Sequence, residues 1–472
     1  MSTPCRAARP LLESTLMLKR ASLLCFLGLL LVALLAACSR SPQTTPATTE
    51  AGSATIVTTH AATRVAASTP TGDTPAATAT AARDETFLPF TSNGPEPTPT
   101  PQPTETTTPT PAITPSPSPP PYPTYEGPPV ARSDFGIQIH LHRESLDEIF
   151  KHLERLGVGW VKVQVSWKLY EPAPGEYDEW RFQELDHLVS GAAGRDINVL
   201  IGVAKAPEWS RATSEEDGPP QDPARFQEFM AYLAWRYQGN LAAYELWNEP
   251  NLQREWHGAP LDPAALVELI EYGAAGVRAE DPQALLVSAA PATTGINDGV
   301  TAIDDRAYFR GMLDAGVGDV VDAIGVHPYG WANPPLASAS DIEQAAPSHN
   351  NHRSFFFGDT LREYRALLDD AGHADLPLWL TEFGWGSFEG MGAAPPPGAE
   401  FMAYVNEWQQ AQYTLHAYAL AQQWPNVGPL FLWNLNFAPT LGAGFSESGY
   451  SVLRPDGTPR PVYFALRTMM GG

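Results

Sequence analysis

From residue 135 onward the chain alternates two hydrophobic patterns. Short, nearly continuous apolar runs recur at 135–141 (FGIQIHL), 159–167 (GWVKVQVSW), 197–205 (INVLIGVAK), 242–249 (AAYELWNE), 284–292, 320–330, 376–385 (LPLWLTEFGW) and 427–436 (VGPLFLWNLN). Between them lie longer amphipathic stretches. ESLDEIFKHLERLG stops at Gly157, and DPARFQEFMAYLAWRYQ and DPAALVELIEYGAAGVRAE each open with Asp then Pro. Gly ends helices well, Asp caps them, and Pro suits the first helical position. A last helix is expected in PVYFALRTMM. Near-continuous apolar runs describe strands buried on both faces of a parallel sheet. Eight strand–helix alternations predict an α/β fold, a (β/α)8 TIM barrel over residues 130–472. A doubly wound open sheet is the alternative, but no G-x-G-x-x-G or P-loop follows any run.

Within the runs, polar and aromatic residues collect at one end. His140 and His142 end the first, Gln164 and Trp167 the second, Lys205 and Trp209 the third, and Asn248 and Glu249 the fourth. The fifth offers only Ser288 and a Thr pair. His327 and Tyr329 end the sixth, Glu382 and Trp385 the seventh, and Trp433, Asn434 and Asn436 the eighth. In a barrel these ends meet on one face, where such folds build their sites.

The rest of the chain is of another kind. LLCFLGLLLVALLAAC, preceded by Lys19 and Arg20, has the form of a secretory signal; an uncleaved membrane anchor is the alternative. A start at Met17 would place the charges directly before the apolar core. Residues 39–129 are rich in Pro, Thr, Ala and Ser, too poor in apolar groups to offset chain entropy, so a disordered, extended linker is expected. All three cysteines, Cys5, Cys25 and Cys38, fall in the signal region, which leaves the barrel without a disulfide, thiolate metal site or cysteine nucleophile. The net charge of −24 disfavours nucleic acid as a partner and suits a solvated, exported protein.

Two carboxylates, Glu249 and Glu382, would face each other across the barrel mouth. Paired carboxylates among aromatics suit glycoside hydrolysis: one protonates the leaving oxygen, and the other attacks the anomeric carbon or activates water. A separation of about 5–5.5 Å gives retention and about 6.5–9.5 Å inversion. WNEPN and LTEFGW resemble the signature of glycoside hydrolase clan A, and WVKVQVSWKLYEPAPGEYD and VDAIGVHPYG resemble its second- and sixth-strand segments. The resemblance spans about 133–470 and is nearest to family 39-like bacterial enzymes, with family 5 cellulase-like proteins next. It implies Glu249 as acid/base, Glu382 as nucleophile, Asn248 on the sugar 2-hydroxyl, Tyr329 holding the nucleophile, His327 bordering the same subsite and Trp433 as the sugar platform. Lys162 and Gln164 depart from the pattern, since many relatives have Arg and an acid there. Leu35-Ala36-Ala37-Cys38 resembles the bacterial lipobox, which implies lipidation of Cys38 and cleavage before it.

His140, Trp167, Lys205, Trp209 and Trp385 complete the candidate substrate contacts. Trp256 and Trp331 are either sugar platforms or loop packing. SHNNHRSFFF (348–357) is a substrate contact or an ordered surface loop, and residues 386–400 are a candidate mobile rim. HLH at 140–142 lacks a third ligand, so no metal is expected, and the chemistry calls for no cofactor. The reading is thus a monomeric, lipid-anchored, extracytoplasmic retaining glycosidase acting on a β-linked glycan. An exo-acting β-xylosidase-like enzyme, a silent glycan-binding lipoprotein and a structural envelope protein are the alternatives.

Overall fold

The computed structural model describes residues 121–141, 144–342 and 346–471. The signal segment with Cys38, the linker as far as residue 120, and His142 lie outside them. Eight parallel strands alternate with helices: β1 (Phe135–Ile139), β2 (Trp160–Ser166), β3 (Asn198–Ala204), β4 (Ala243–Leu246), β5 (Leu285–Ser288), β6 (Ile324–Val326), β7 (Leu378–Phe383) and β8 (Val427–Leu432). One major helix follows each: α1 (Leu146–Leu156), α2 (Glu179–Ala193), α3 (Ala224–Arg236), α4 (Pro263–Glu280), α5 (Asp305–Asp314), α6 (Phe357–Asp370), α7 (Glu407–Ala421) and α8 (Pro461–Met469).

The strands pair in the order β5-β4-β3-β2-β1-β8-β7-β6. A parallel bridge between Val287 and Ala323 joins the two ends of that order, so the sheet is a nearly closed (β/α)8 barrel as the pattern predicts. Strand runs end one to four residues earlier than their apolar stretches because the terminal residues turn outward into loops. Helix punctuation follows local chemistry. Asp262 accepts from the Ala264 amide ahead of α4, Asn406 and Gln409 form a capping box on α7, and Gly157 closes α1 at φ 73°. Helix α3 begins at Ala224, after the Asp-Pro pair, with the Asp222 carboxylate accepting from the Ala224 amide.

The barrel floor is an apolar plug of Trp160, Leu200, Ala243, Val287, Ala323, Trp379 and Phe431. Trp160 and Trp379 meet edge to face with ring centroids 5.1 Å apart. Burying aromatic rings this way fills the tapered end and lets the open end carry polar groups. Residues 121–129, assigned to the linker by composition, pack on the barrel instead: Tyr122 stacks on Phe464 of α8 at 5.6 Å, and the Tyr125 hydroxyl donates to the Pro128 carbonyl. Their two tyrosines set them apart from the preceding stretch, whose aromatics are Phe87 and Phe90 alone. Among the described residues no helix is long and apolar enough to cross a membrane.

Candidate active site

The carboxyl ends of the strands open onto a cleft of about 1100 Å³, lined by Gln164, Lys205, Asn248, Glu249, Tyr329, Glu382 and Trp433, among others. The stretch WNEPN builds its centre one residue at a time. Trp247, 1% exposed, drives its ring against Phe226 and Trp256. Asn248 and Glu249 turn to the cleft. Buried Asn251 donates to the carbonyls of Ala292 and Ile303 and accepts from the Ala292 amide, tying this turn to the loop after β5. Trp247 and Glu249 have φ of 86° and 44°, and the cleft residues Lys205 and Trp331 have 66° and 54°. Left-handed backbone at four non-glycine residues around one cleft is strain held by the packing behind it, a mark of sites that must aim side chains.

Glu382 is held at both oxygens. The Tyr329 hydroxyl donates to Oε2 at 3.0 Å and the Lys162 ammonium to Oε1 at 3.2 Å. Burial alone would push Lys162 down, but the carboxylates of Glu245 and Glu382 outweigh it and raise it, so it carries its charge. Glu249 is held differently: Oε1 lies 3.2 Å from His327 Nδ1, and Oε2 accepts from Arg254 at 3.2 Å. Burial would raise this carboxyl, yet the hydrogen bond and charge of His327, with the Arg254 guanidinium, hold it at about 2. For His327, burial lowers the affinity for a proton, while Glu382 and Glu249 more than restore it. The Glu249–His327 pair therefore keeps its proton on the imidazole. One carboxylate oxygen of Glu249 and one of Glu382 come within 4.8 Å of each other, with a His327 nitrogen equally close. Two carboxylates and an imidazole at that spacing are also a donor set able to hold a metal ion.

The expected contact residues divide in space. Asn248, Tyr329, Trp433 and Lys205 line the cleft, and His327 lies just beneath it, fully buried. His140 packs its ring on Phe437 at 3.8 Å and beside Trp433 at 5.5 Å; burial pushes it down to about 3, so it backs Trp433 as a neutral ring. Trp167 and Trp385 are brought elsewhere. Trp167 stacks on Phe229 of α3 beneath the surface, and Trp385 is 1% exposed with its indole N–H donating to the Asn333 carbonyl. Each strand has by then turned its side chain toward the helical layer rather than the barrel axis. Trp209 is half-buried against Trp167, donating to the Glu171 carbonyl, and Trp256 is buried behind Trp247. Trp331 does line the cleft, stacked on His349 at 4.3 Å, so SHNNHRSFFF backs that ring: its Phe355, Phe356 and Phe357 are buried. Of the 386–400 rim, Pro397, Gly398 and Ala399 reach the cleft wall.

Several cleft residues escaped the sequence reading. Gln253, Arg254 and Glu255 form a short 3-10 helix directly after the Glu249 turn, and Glu447 and Tyr450 come from the loop after β8. Burial, helped by the negative charge of Glu249 and opposed by Lys205, pushes Glu255 up to about 7. Tyr450 meets Tyr329 edge to face at 5.6 Å. For Arg254 and Glu255 the signal available was proximity in sequence: a cation and an acid within six residues of Glu249.

The sequence from residue 125 to 424 matches the family model for cellulase (glycosyl hydrolase family 5). No curated protein matches the chain. Among solved structures, a family 39 glycoside hydrolase from Bacteroides cellulosilyticus WH2 is similar with a TM-score of 0.52 at 20% identity, over 73% of this chain and 65% of that longer one. A glucosidase from Croceicoccus marinus matches with a TM-score of 0.51 at 16% identity, over 73% and 69% of the two chains. GH5_18 from Streptomyces cattleya in complex with GlcNAc gives 0.50 at 17%, over 72% and 80%. At such identities the neighbours speak for the barrel alone, and they include the family nearest in the motif resemblance. The family model spans most of the barrel and both glutamate-bearing strands, and on that match the chain belongs to glycosyl hydrolase family 5, within clan A.

Proposed function

We propose that the protein is a retaining glycoside hydrolase that cleaves β-glycosidic bonds in poly- or oligosaccharides by double displacement. The observation that carries this reading is the approach of one carboxylate oxygen of Glu249 to one of Glu382 within 4.8 Å, on the side of the closer, retaining pairs rather than of the wider-spaced inverting ones. Glu382 attacks the anomeric carbon while its oxygens are oriented by Tyr329 and Lys162. Glu249 protonates the departing oxygen, then draws a proton from the water that breaks the glycosyl ester. Trp433 forms the floor under the sugar, and Asn248 takes a hydroxyl hydrogen bond that strengthens as the oxocarbenium-like state forms.

The resting ionisation of Glu249 needs a step before chemistry. A sugar that fills the cleft removes water and displaces Arg254, which at 66% side-chain exposure is free to swing aside. Without that cation and that solvent, the neutral form of the Glu249–His327 pair is favoured, and the proton passes from Nδ1 to Oε1. The acid is thereby armed only when substrate is present.

The family's name puts β-1,4-glucan first among substrates, and the 1100 Å³ cleft, at the top of the usual range for ligand pockets, accommodates more than one sugar ring. We place the enzyme outside the cytoplasm as a monomer tethered through a lipid on Cys38, on the strength of the signal and lipobox pattern. The test is reducing-end release by residues 121–472 from a panel of β-glucans, xylans, mannans and bacterial exopolysaccharides, with Glu382→Ala alongside. Wild-type release, with none from Glu382→Ala at an unchanged melting temperature, is the expected outcome. Retention of a glycan on a gel by both proteins, without release, would make it a silent binding protein.

A further inference from the structure

One carboxylate has no part in the chemistry above. Glu245 stands on β4, four residues before Glu249, and points into the barrel interior with 1% exposure. Its Oε2 lies 2.7 Å from Lys162 Nζ, equally buried, and Lys162 reaches on to Glu382 Oε1 at 3.2 Å and the Thr381 carbonyl at 3.1 Å. On its other side, Glu245 Oε1 faces His327 Nε2 at 3.9 Å, and neither atom has a hydrogen-bond partner. His327 in turn lies 3.2 Å from Glu249. Glu245 thus stands beneath both reacting carboxylates, one intermediary away from each.

The neighbouring strands make room for it. From β2 comes Lys162, from β6 His327, and from β7, through Lys162, Glu382; β3 presents Gly202, where an added Cβ would sit 3.0 Å from Glu245 Oε2 and 3.5 Å from Lys162 Cε. One layer deeper the barrel is wholly apolar. A packed apolar pair at this level would close the barrel with no desolvation cost, so a buried ion pair is poor evidence for stability and better evidence for use.

We propose that Glu245 is a positioning residue for both steps of the reaction, resting on the roles given above to Glu249 and Glu382. It anchors Lys162 as an ammonium against the nucleophile. It also favours the imidazole tautomer that carries its hydrogen on Nε2, facing inward, which leaves Nδ1 to exchange a single proton with Glu249 Oε1. The other tautomer would turn a lone pair toward a buried carboxylate. One buried charge so sets the partner of each catalytic group.

The experiment compares wild type with Glu245→Gln on the best aryl β-glycoside, following kcat, KM, the pH profile and the melting temperature. In parallel, 15N-histidine NMR follows the His327 imidazole, assigned with His327→Gln. The expected result is a kcat at least tenfold lower at near-constant KM. Both limbs of the pH profile should move to lower pH by about one unit, because a negative charge has been removed beside His327 and Glu382. His327 should titrate lower by NMR. The double variant Glu245→Gln/Lys162→Gln should lose less than the product of the two single losses, because the part of the Glu245 effect that runs through Lys162 is already gone while the part through His327 remains. An unmoved pH profile, or a loss of kcat tracking only a lower melting temperature, would overturn the proposal. If Glu245→Gln does not fold, Glu245→Asp keeps the charge but withdraws it by one methylene: a lower kcat with the pH profile in place is expected, and an unchanged kcat is the overturning result. Should wild type hydrolyse nothing, the NMR arm still decides: a shifted His327 leaves Glu245 in its role while the hydrolase reading fails, and an unshifted one removes Glu245.

Discussion

Glu249 and Glu382 are the same side chain in two settings, and the difference supports the roles proposed for them. Glu382 is boxed by a phenol and a buried ammonium that both donate to it, a setting that suits a nucleophile. Glu249 is held by a titrating imidazole and by a guanidinium on an exposed arm, both of which can change state. Arg254 is therefore the residue to remove. It helps hold the Glu249 carboxyl down, so Arg254→Gln should let the acid keep its proton to higher pH, moving the alkaline limb of kcat/KM upward while the acid limb stays. A pH–rate series on an aryl glycoside checks this, and an alkaline limb that stays put would leave Arg254 as a rim residue only. Glu249→Ala should lose about 10²–10⁴-fold on substrates with poor leaving groups. It should act far better on those with good leaving groups and recover rate with azide, an anion that attacks the glycosyl ester in place of water, releases the Glu382 carboxylate and needs no base. Product analysis for the glycosyl azide reads that outcome directly.

At the scale of elements, most of the architecture was legible before any coordinates. All eight runs became strands, because a parallel strand covered on both faces must be apolar throughout and nothing else in the barrel is. The polar ends did gather on one face. Less legible was where a side chain points once its strand has ended. Trp167 and Trp433 both follow an apolar run, yet one stacks on α3 and the other lines the cleft. Alternation along a strand predicts a face only while the ladder persists, and the register between β7 and β8 itself shifts near Glu382. Two isolated charges inside apolar runs, Lys162 and Glu245, were visible in the sequence, but their pairing across two strands depends on register and on the gap left by Gly202.

Loop architecture was the least legible, and Arg460 shows why. This arginine precedes α8 in a sequence that reads as a surface turn, yet it is fully buried. It pairs with Glu407 at 3.0 Å and donates to the carbonyls of Gly449, Ser451 and Ser387. It thus locks the loop after β7 to the loop after β8, which carries Tyr450. Removing one partner of such a buried pair leaves the other uncompensated, at roughly 3–5 kcal/mol. Arg460→Met should lower stability by about that amount in urea unfolding. Because Glu447 and Tyr450 ride on the same loop, it should also raise KM. A variant with normal KM would mean the loop keeps its shape without its central tie.

At the scale of the whole molecule, composition changes near residue 121, and the residues that follow pack on the barrel. Tyr122 and Tyr125 are the first aromatics after the Pro/Thr tract, and they pack against α7 and α8 on the flank of the barrel. Any truncation meant to isolate the enzyme should keep them, because a start at 130 would remove the stacking of Tyr122 on Phe464 and the Tyr125 wall of the groove that Leu415 and His416 line. The same division yields a test of localisation. If Cys38 carries the lipid, its only structural task is to hold the chain at a membrane, and nothing in the barrel depends on it. Cys38→Ala in the producing cell should move the protein from the membrane fraction to the soluble extracytoplasmic fraction, with activity per mole of enzyme unchanged. Labelled palmitate should enter wild type and not the variant. Continued membrane association of Cys38→Ala, without label in either protein, would identify the apolar segment itself as the anchor and retire the lipoprotein reading while leaving the glycosidase untouched.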